Sequence, residues 1–250
     1  MEDISTIILN NKKSIFCEKY YKRFFLEIHP SIGGEESENW SLTLLNMYEK
    51  WFAKKKIVFD VVNISISNSG IKSVILKIYE DKIFRFFKKE MGLHKLIRLS
   101  IFDKKKKRHT SIAEVSIFPQ ITHNLAEKIK SSNIKINTFK SSGAGGQHVN
   151  TTDSAVRIRH IPTNIVVQCQ NHRSQYKNKK ECFSVLESKL YTYYKQKNYK
   201  TKRLEINYSK KHVRTYILHP YQLVKDYRSG IYTFNVQSVF SGSIDSFLYN

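Results

Sequence analysis

Residues 134–193 constrain the fold of this chain most. Ile134–Phe139 reads as a basic strand, and Val156–Arg159 and Ile165–Cys169 flank Pro162-Thr163-Asn164 as the two arms of a hairpin. Cys182, Leu186, Leu190 and Tyr193 then recur at spacings of four and three, which predicts a helix with one apolar stripe. The pattern predicts an α+β unit with a basic loop left free at one end. Between the first strand and the hairpin lies Gly143-Ala144-Gly145-Gly146-Gln147-His148. Glycine visits positive φ as readily as negative, so this stretch can turn where other residues cannot and can bring backbone close to another molecule.

The chemistry open to such a loop is limited. It holds no acid and no strong nucleophile. It can aim backbone N–H groups at a developing negative charge, and one such donor is typically worth about 10²–10³ in rate. Its glycines and Gln147 cannot supply a general base of useful pKa, so any reaction they promote borrows machinery from a partner. A dinucleotide fingerprint needs a third small residue and an acid about 20 positions on. Here His148 stands at that position, and the region near Gln168 has no acid. A phosphate-binding P-loop needs a Gly-Lys-Ser/Thr ending, which is absent. From the glycines alone, a plain surface turn stays open.

The longer stretch decides between these readings. Gly145-Gly146-Gln147 with His148-Val149-Asn150, Ser154-Ala155-Val156-Arg157, His160-Ile161-Pro162-Thr163 and Arg173-Ser174-Gln175 closely resembles the signature segment of class I peptide chain release factors. His172 and Tyr176 depart from that pattern. The resemblance implies that Gly145, Gly146 and Gln147 enter the peptidyl transferase centre and promote hydrolysis of the peptidyl-tRNA ester by water. The Gln147 N–H would stabilise the transition state or leaving hydroxyl, and its side chain would admit water and exclude larger nucleophiles. It also implies that Gln147 is a target of a glutamine methyltransferase. Under this reading the protein is not a free-standing enzyme but acts together with the ribosome.

Composition agrees with an RNA partner. Forty-three Lys and Arg against 21 Asp and Glu give a formal net charge of +22, a balance that points to nucleic acid or an anionic surface. No apolar run approaches the roughly 20 residues that span a bilayer, and the opening MEDISTIILNNKK is neither a signal peptide nor a transit peptide. Cys17, Cys169 and Cys182 are odd in number and form no CxxC pair. They suggest packing in a reducing compartment rather than zinc or disulfides. A cytoplasmic monomer with no membrane contact, no metal and no cofactor is expected.

Four regions follow in chain order. Residues 1–25, with a basic helix-like piece at Lys12–Arg23, stand where the family carries a helical N-terminal domain. They read as its remnant, with contacts to release factor 3 weakened or lost. Residues 26–119 read as the codon-recognition domain. Gly33-Gly34-Glu35-Glu36 ends a strand and opens a helix whose Trp40, Leu44, Met47, Tyr48 and Trp51 form one apolar stripe. By resemblance, Gly33 and Glu36 lie at a helix tip that meets the first stop-codon base. Strands are expected at 57–66, 71–79, 93–101 and 109–118, with a short helix at 81–89. Between the last two strands, Lys104-Lys105-Lys106-Lys107-Arg108 is, as a bare charge run, a solvated hairpin tip.

The resemblance turns that tip into the codon reader. Ser100-Ile101-Phe102 occupies the place of Ser-Pro-Phe in the release factor 2 class, which reads UAA and UGA, with isoleucine for proline. Ser100 would read a purine edge through its hydroxyl. His109 would stack near the second and third bases, and Thr110 would help read the third. The lysines would add phosphate binding without specificity.

Residues 120–205 read as the Gly-Gly-Gln hydrolysis domain, with Arg157, Arg159, Arg173 and Lys177 toward ribosomal RNA. Residues 206–250 return to strands at 213–218 and 231–234 and complete the codon-reading superdomain, with linkers near 119–122 and 200–210. The fold class is thus α+β, a codon-reading superdomain interrupted by an inserted catalytic domain. The implied partners are RNA of both ribosomal subunits, the messenger stop codon and peptidyl-tRNA. A codon-independent rescue hydrolase and a non-catalytic RNA-binding protein are the rival readings. Residues 30–118 count against the first, because a rescue hydrolase lacks a decoding domain.

Overall fold

The structure, a computed structural model, describes residues 23–121, 129, 131–140, 153–200 and 212–249. Residues 1–22 of the expected remnant at 1–25, the Gly145-Gly146-Gln147 loop and most of the second linker lie outside the described residues. The fold is α+β, and the chain divides into two compact units. One comprises Leu26–Ile117 and Asn207–Asn250, the other Met1–Phe25 and Phe118–Ile206.

The first unit is built on an eight-stranded sheet of order β11-β10-β9-β4-β5-β1-β3-β2. Its strands are β1 Phe24–Ile32, β2 Phe59–Ile66, β3 Ile71–Ile78, β4 Gly92–Leu99, β5 Arg108–Pro119, β9 His212–Ile217, β10 Leu223–Asp226 and β11 Tyr232–Thr233. β4 and β5 form a hairpin in which Arg98 opposes His109 and Ile97 opposes Thr110. β9 lies parallel to β4, pairing Leu96 with Tyr216. A crossover of this kind needs a long connection, and more than a hundred residues separate the two strands in sequence.

Helix α1, Glu35–Lys54, carries Glu35, Glu36 and Glu38 in its first turn and Lys54 in its last, which suits the helix dipole at both ends. The expected stripe Trp40, Leu44, Met47, Tyr48 and Trp51 is buried along it. Trp40 packs edge-on against Tyr216 at 4.8 Å, and Tyr48, Trp51 and Phe52 converge on Phe87. Phe87 comes from α2, Phe84–Phe87, a single turn that continues as a 3-10 turn over Lys88–Glu90. Two short C-terminal helices, α4 Val236–Phe240 and α5 Asp245–Tyr249, complete this unit. The Asn235 side chain caps α4 by accepting the Ser238 N–H, and Trp51 Nε1 donates to Asp245.

A buried charged cluster sits inside this core. Arg214 is fully buried and donates from Nη1 and Nη2 to both Glu90 oxygens at 3.0 and 2.6 Å, and to Asp226 at 3.2 Å. Tyr48 donates to Glu90 at 2.9 Å, and Phe247 lies face-on to the guanidinium at 4.1 Å. Burial alone would raise the Glu90 carboxyl, but Arg214 and His94 hold it below the usual carboxylate range. Burial pushes His94 down to about 4.

The second unit holds a three-stranded antiparallel sheet, β6 Ile134–Phe139, β7 Ala155–His160 and β8 Val166–Cys169, in the order β6-β7-β8. Helix α3, Gln175–Lys200, belongs to the same unit. Its Cys182, Val185, Leu186 and Leu190 are buried, and the Cys182 thiol donates to the Val156 carbonyl. Tyr193, assigned to the stripe from sequence, is instead 39% exposed, and Tyr191 is buried. β5 continues through Pro119, where the sequence predicts a linker, and the Gln120 N–H donates to the Arg23 carbonyl. No helix among the described residues is long and apolar enough to cross a membrane.

Candidate nucleic-acid interface

The turn into α1 and the β4–β5 loop are held together by one carboxylate. Gly33 and Gly34 take φ of 127° and 57°, and a Cβ on Gly33 would sit 3.2 Å from the Ser111 backbone. That close approach brings the start of α1 against β5. Glu36, 4% exposed, accepts Arg98 Nε and Nη2 at 3.1 and 2.6 Å on one oxygen and the Ile101 N–H at 3.0 Å on the other. Burial opposes ionisation of Glu36, but Ser100, Arg98 and the Ile101 N–H hold its carboxyl below the usual range. Arg98 Nη2 also donates to Asn39 Oδ1, and Asn39 Nδ2 reaches the Ser69 carbonyl in the β2–β3 turn.

The loop itself is ordered by short-range bonds. Ser100 Oγ accepts the Phe102 and Asp103 N–H groups at 3.1 and 2.8 Å, and Ser100 is 4% exposed. Asp103 accepts the Lys105 N–H, its carbonyl accepts the Lys106 N–H, and the Ser100 N–H closes the loop onto Lys107. The resemblance gives the Ser100 hydroxyl the role of reading a purine edge. In this form its oxygen faces into the loop, and the apolar side chains of Ile101 and Phe102 are 62% and 41% exposed. Lys104 to Thr110 are exposed, and His109 Nε2 lies 3.5 Å from Asp103. Ser100, Ile101, Phe102, His109 and Thr110 therefore cluster at one end of the β4–β5 hairpin, with Glu36 behind them.

In the other unit, Arg157 and Arg159 share one exposed strand face. Arg157 donates to Gln168 and lies 5.2 Å from the Phe139 ring centroid, and Arg159 donates to Asn164. Lys135 opposes Arg159 across the sheet, adding a third cation. Arg173 and Lys177 are exposed around the start of α3, where Ser174 Oγ accepts the Lys177 N–H. Paired Phe139 and Ala155 mark where the chain leaves β6 and enters β7. Buried Asn178 donates to the Ser154 and His172 carbonyls and accepts the His172 N–H, while Gln175 donates to the Asp153 carbonyl. These two amides tie the entry of β7 to α3. Arg98, Lys135 and Asn178 are missing from the residues singled out by sequence.

Comparisons with known proteins agree on one family. A PCRF domain model matches residues 8–115, and an RF-1 domain model matches residues 123–228. Peptide chain release factor 2 of Listeria monocytogenes is 39% identical over 254 residues, covering 98% of this chain and 69% of that protein. The chain belongs to the peptide chain release factor family. Peptide chain release factor 2 of Treponema pallidum is 40% identical to this factor over 90% of the chain and 62% of its own length. Release factor 2 of Thermus thermophilus matches in structure with a TM-score of 0.79 at 32% identity, over 91% of this factor and 66% of that chain.

Proposed function

We propose that this factor terminates translation by recognising UAA and UGA in the ribosomal decoding site and triggering hydrolysis of the peptidyl-tRNA ester. The observation that carries the proposal is the constellation at the β4–β5 hairpin, where a Ser-Ile-Phe loop, His109, Thr110 and the α1 tip share one end of a sheet. Residues 26–119 and 206–250 form the decoding part, and 120–205 form the hydrolytic part. Stacking on exposed planes with edge hydrogen bonds is how splayed single-stranded bases are usually read. Exposed His109 and Phe102 supply planes, and Thr110 supplies a hydroxyl. Ser100 reads a base by exchanging one of its loop bonds for the base edge.

Arg157, Arg159, Arg173 and Lys177 hold ribosomal RNA phosphates, and Gly145-Gly146-Gln147 supplies the donor for the developing charge. The chain holds no general base in that segment, so the ribosome completes the reaction. Gln147 is the side chain a glutamine methyltransferase would modify.

The rescue reading differs in one observable. Ribosomes stalled on a truncated messenger, with an empty decoding site, release peptide only if decoding is dispensable. Release at UAA at least about 30-fold faster than on the truncated messenger is expected, from two or more lost base contacts worth about 1–3 kcal/mol each. Equal rates would replace termination with rescue.

A further inference from the structure

Beyond the decoding loop, the β10–β11 hairpin carries an exposed aromatic and cationic face that no role above uses. Tyr232 opposes Lys225 directly across the two strands. Tyr232 and Phe234 are 60% and 66% exposed, with ring centroids 5.7 Å apart at 77°. Lys225 Nζ lies 5.7 Å from the ring centroid of Tyr227, itself 57% exposed. Tyr221, at the other end of β10, is 55% exposed. Four rings and one ammonium thus occupy a short two-stranded element.

Hydrogen bonds hold the turn between the two strands. Asp226 accepts the Arg228 and Ser229 N–H groups, the Asp226 N–H donates to the Ile231 carbonyl, and Gly230 takes φ of 73°. Asp226 is also the lone acid in residues 219–235, and it is 1% exposed, bonded inward to Arg214. The outward surface is therefore cationic and aromatic with no acid.

We infer that this face, Tyr227, Tyr232, Phe234 and Lys225, is a stacking platform for unpaired ribosomal RNA, outside the decoding contacts. The inference rests on the termination reading and names a further partner surface for it. Exposed rings interleaved with cations are the arrangement that holds single-stranded nucleic acid, because each base offers a π-face and each linkage a phosphate. A protein partner fits less well, since interface centres are depleted in lysine. A second copy of the chain would bring another +22 against this one. β11 stands three strands from β4 in the sheet, about 14 Å at the usual strand spacing. The register carries Tyr232 through Lys225 and Thr215 to Lys95, five residues before Ser100, so the face lies outside the decoding contacts, and the unpaired nucleic acid that the termination reading offers it is ribosomal RNA.

The test uses the full-length factor on ribosomes carrying peptidyl-tRNA and UAA. Tyr232→Ala with Phe234→Ala is compared with the unsubstituted factor for release kcat and KM, together with chemical footprints of unpaired ribosomal RNA bases. The expected result is a KM at least about tenfold higher, unchanged kcat, an unchanged ratio of UAA to sense-codon release, and loss of protection at a few unpaired ribosomal bases. Phe234→Leu keeps an apolar side chain without the π-face and serves if the double substitution perturbs folding; it too raises KM. An unmoved KM overturns the inference. So does a raised KM with ribosomal protection intact, or protection lost on messenger nucleotides alone. If the unsubstituted factor releases no peptide at UAA, the termination reading fails instead, and the two failures are told apart.

Discussion

Arg214→Met lowers the unfolding free energy of the chain by about 3–5 kcal/mol, the range seen when one partner of a buried ion pair is removed. The guanidinium is fully buried and bridges Glu90 and Asp226. Removing it leaves Glu90 without its main counter-charge, with the Tyr48 hydroxyl still donating to that carboxylate. Arg214→Met combined with Glu90→Gln costs less than the sum of the two, because the second change removes the charge the first one strands. Urea unfolding of the single and double variants measures both. A loss below about 1 kcal/mol would show that water reaches the cluster.

The same cluster makes stability depend on pH in a defined direction. His94 titrates at about 4 in the fold against an ordinary 6.5. Between those values the unfolded chain binds a proton that the folded chain refuses. Stability is therefore fully present above about pH 6.5 and falls by about 3 kcal/mol on the way to pH 4. Glu90 and Asp226, both held low by Arg214 against the opposing effect of burial, add a further loss below their unfolded values.

Gly146→Ala reduces peptide release by about 10²–10³-fold at saturating factor while leaving affinity for UAA ribosomes within about twofold. The proposed donor is the Gln147 backbone N–H, and misdirecting one such donor has an effect of that size on rate. A Cβ at position 146 narrows the backbone conformations that aim it. Gln147→Ala keeps the N–H and loses less rate, but it opens the site to larger nucleophiles. Hydroxylamine then captures a larger share of released peptide than it does with the unsubstituted factor. A Gly146→Ala factor that releases at full rate would remove this loop from the chemistry.

What could be read from sequence was what depends on neighbours along the chain. The α1 stripe from Trp40 to Trp51 and the three strands before α3 follow from period and turn chemistry within a few residues. The arrangements that involve distant partners could not be read. Glu36 and Arg98 are 62 positions apart, and nothing local says that Glu36 holds the Ile101 N–H. β10, with only Leu223–Asp226, is a strand by virtue of its pairing with β9 rather than by its own pattern. Asn178 sits in a lysine-rich segment that reads as solvated, yet it is fully buried because two carbonyls and one N–H need a partner there. The Asn235 cap of α4, by contrast, is a local signal, since the side chain accepts an N–H three residues on.

The central claim is that this chain reads stop codons and not merely ribosomes. The most direct measurement is peptide release from ribosomes carrying peptidyl-tRNA with UAA, UGA, UAG or a sense codon in the decoding site. Release at UAA and UGA, with UAG and the sense codon at background, is the predicted result, and it assigns Ser100-Ile101-Phe102 the role of the serine-proline-phenylalanine class. Release at comparable rates on all four codons would contradict the account and strip the 100–110 loop of its decoding role.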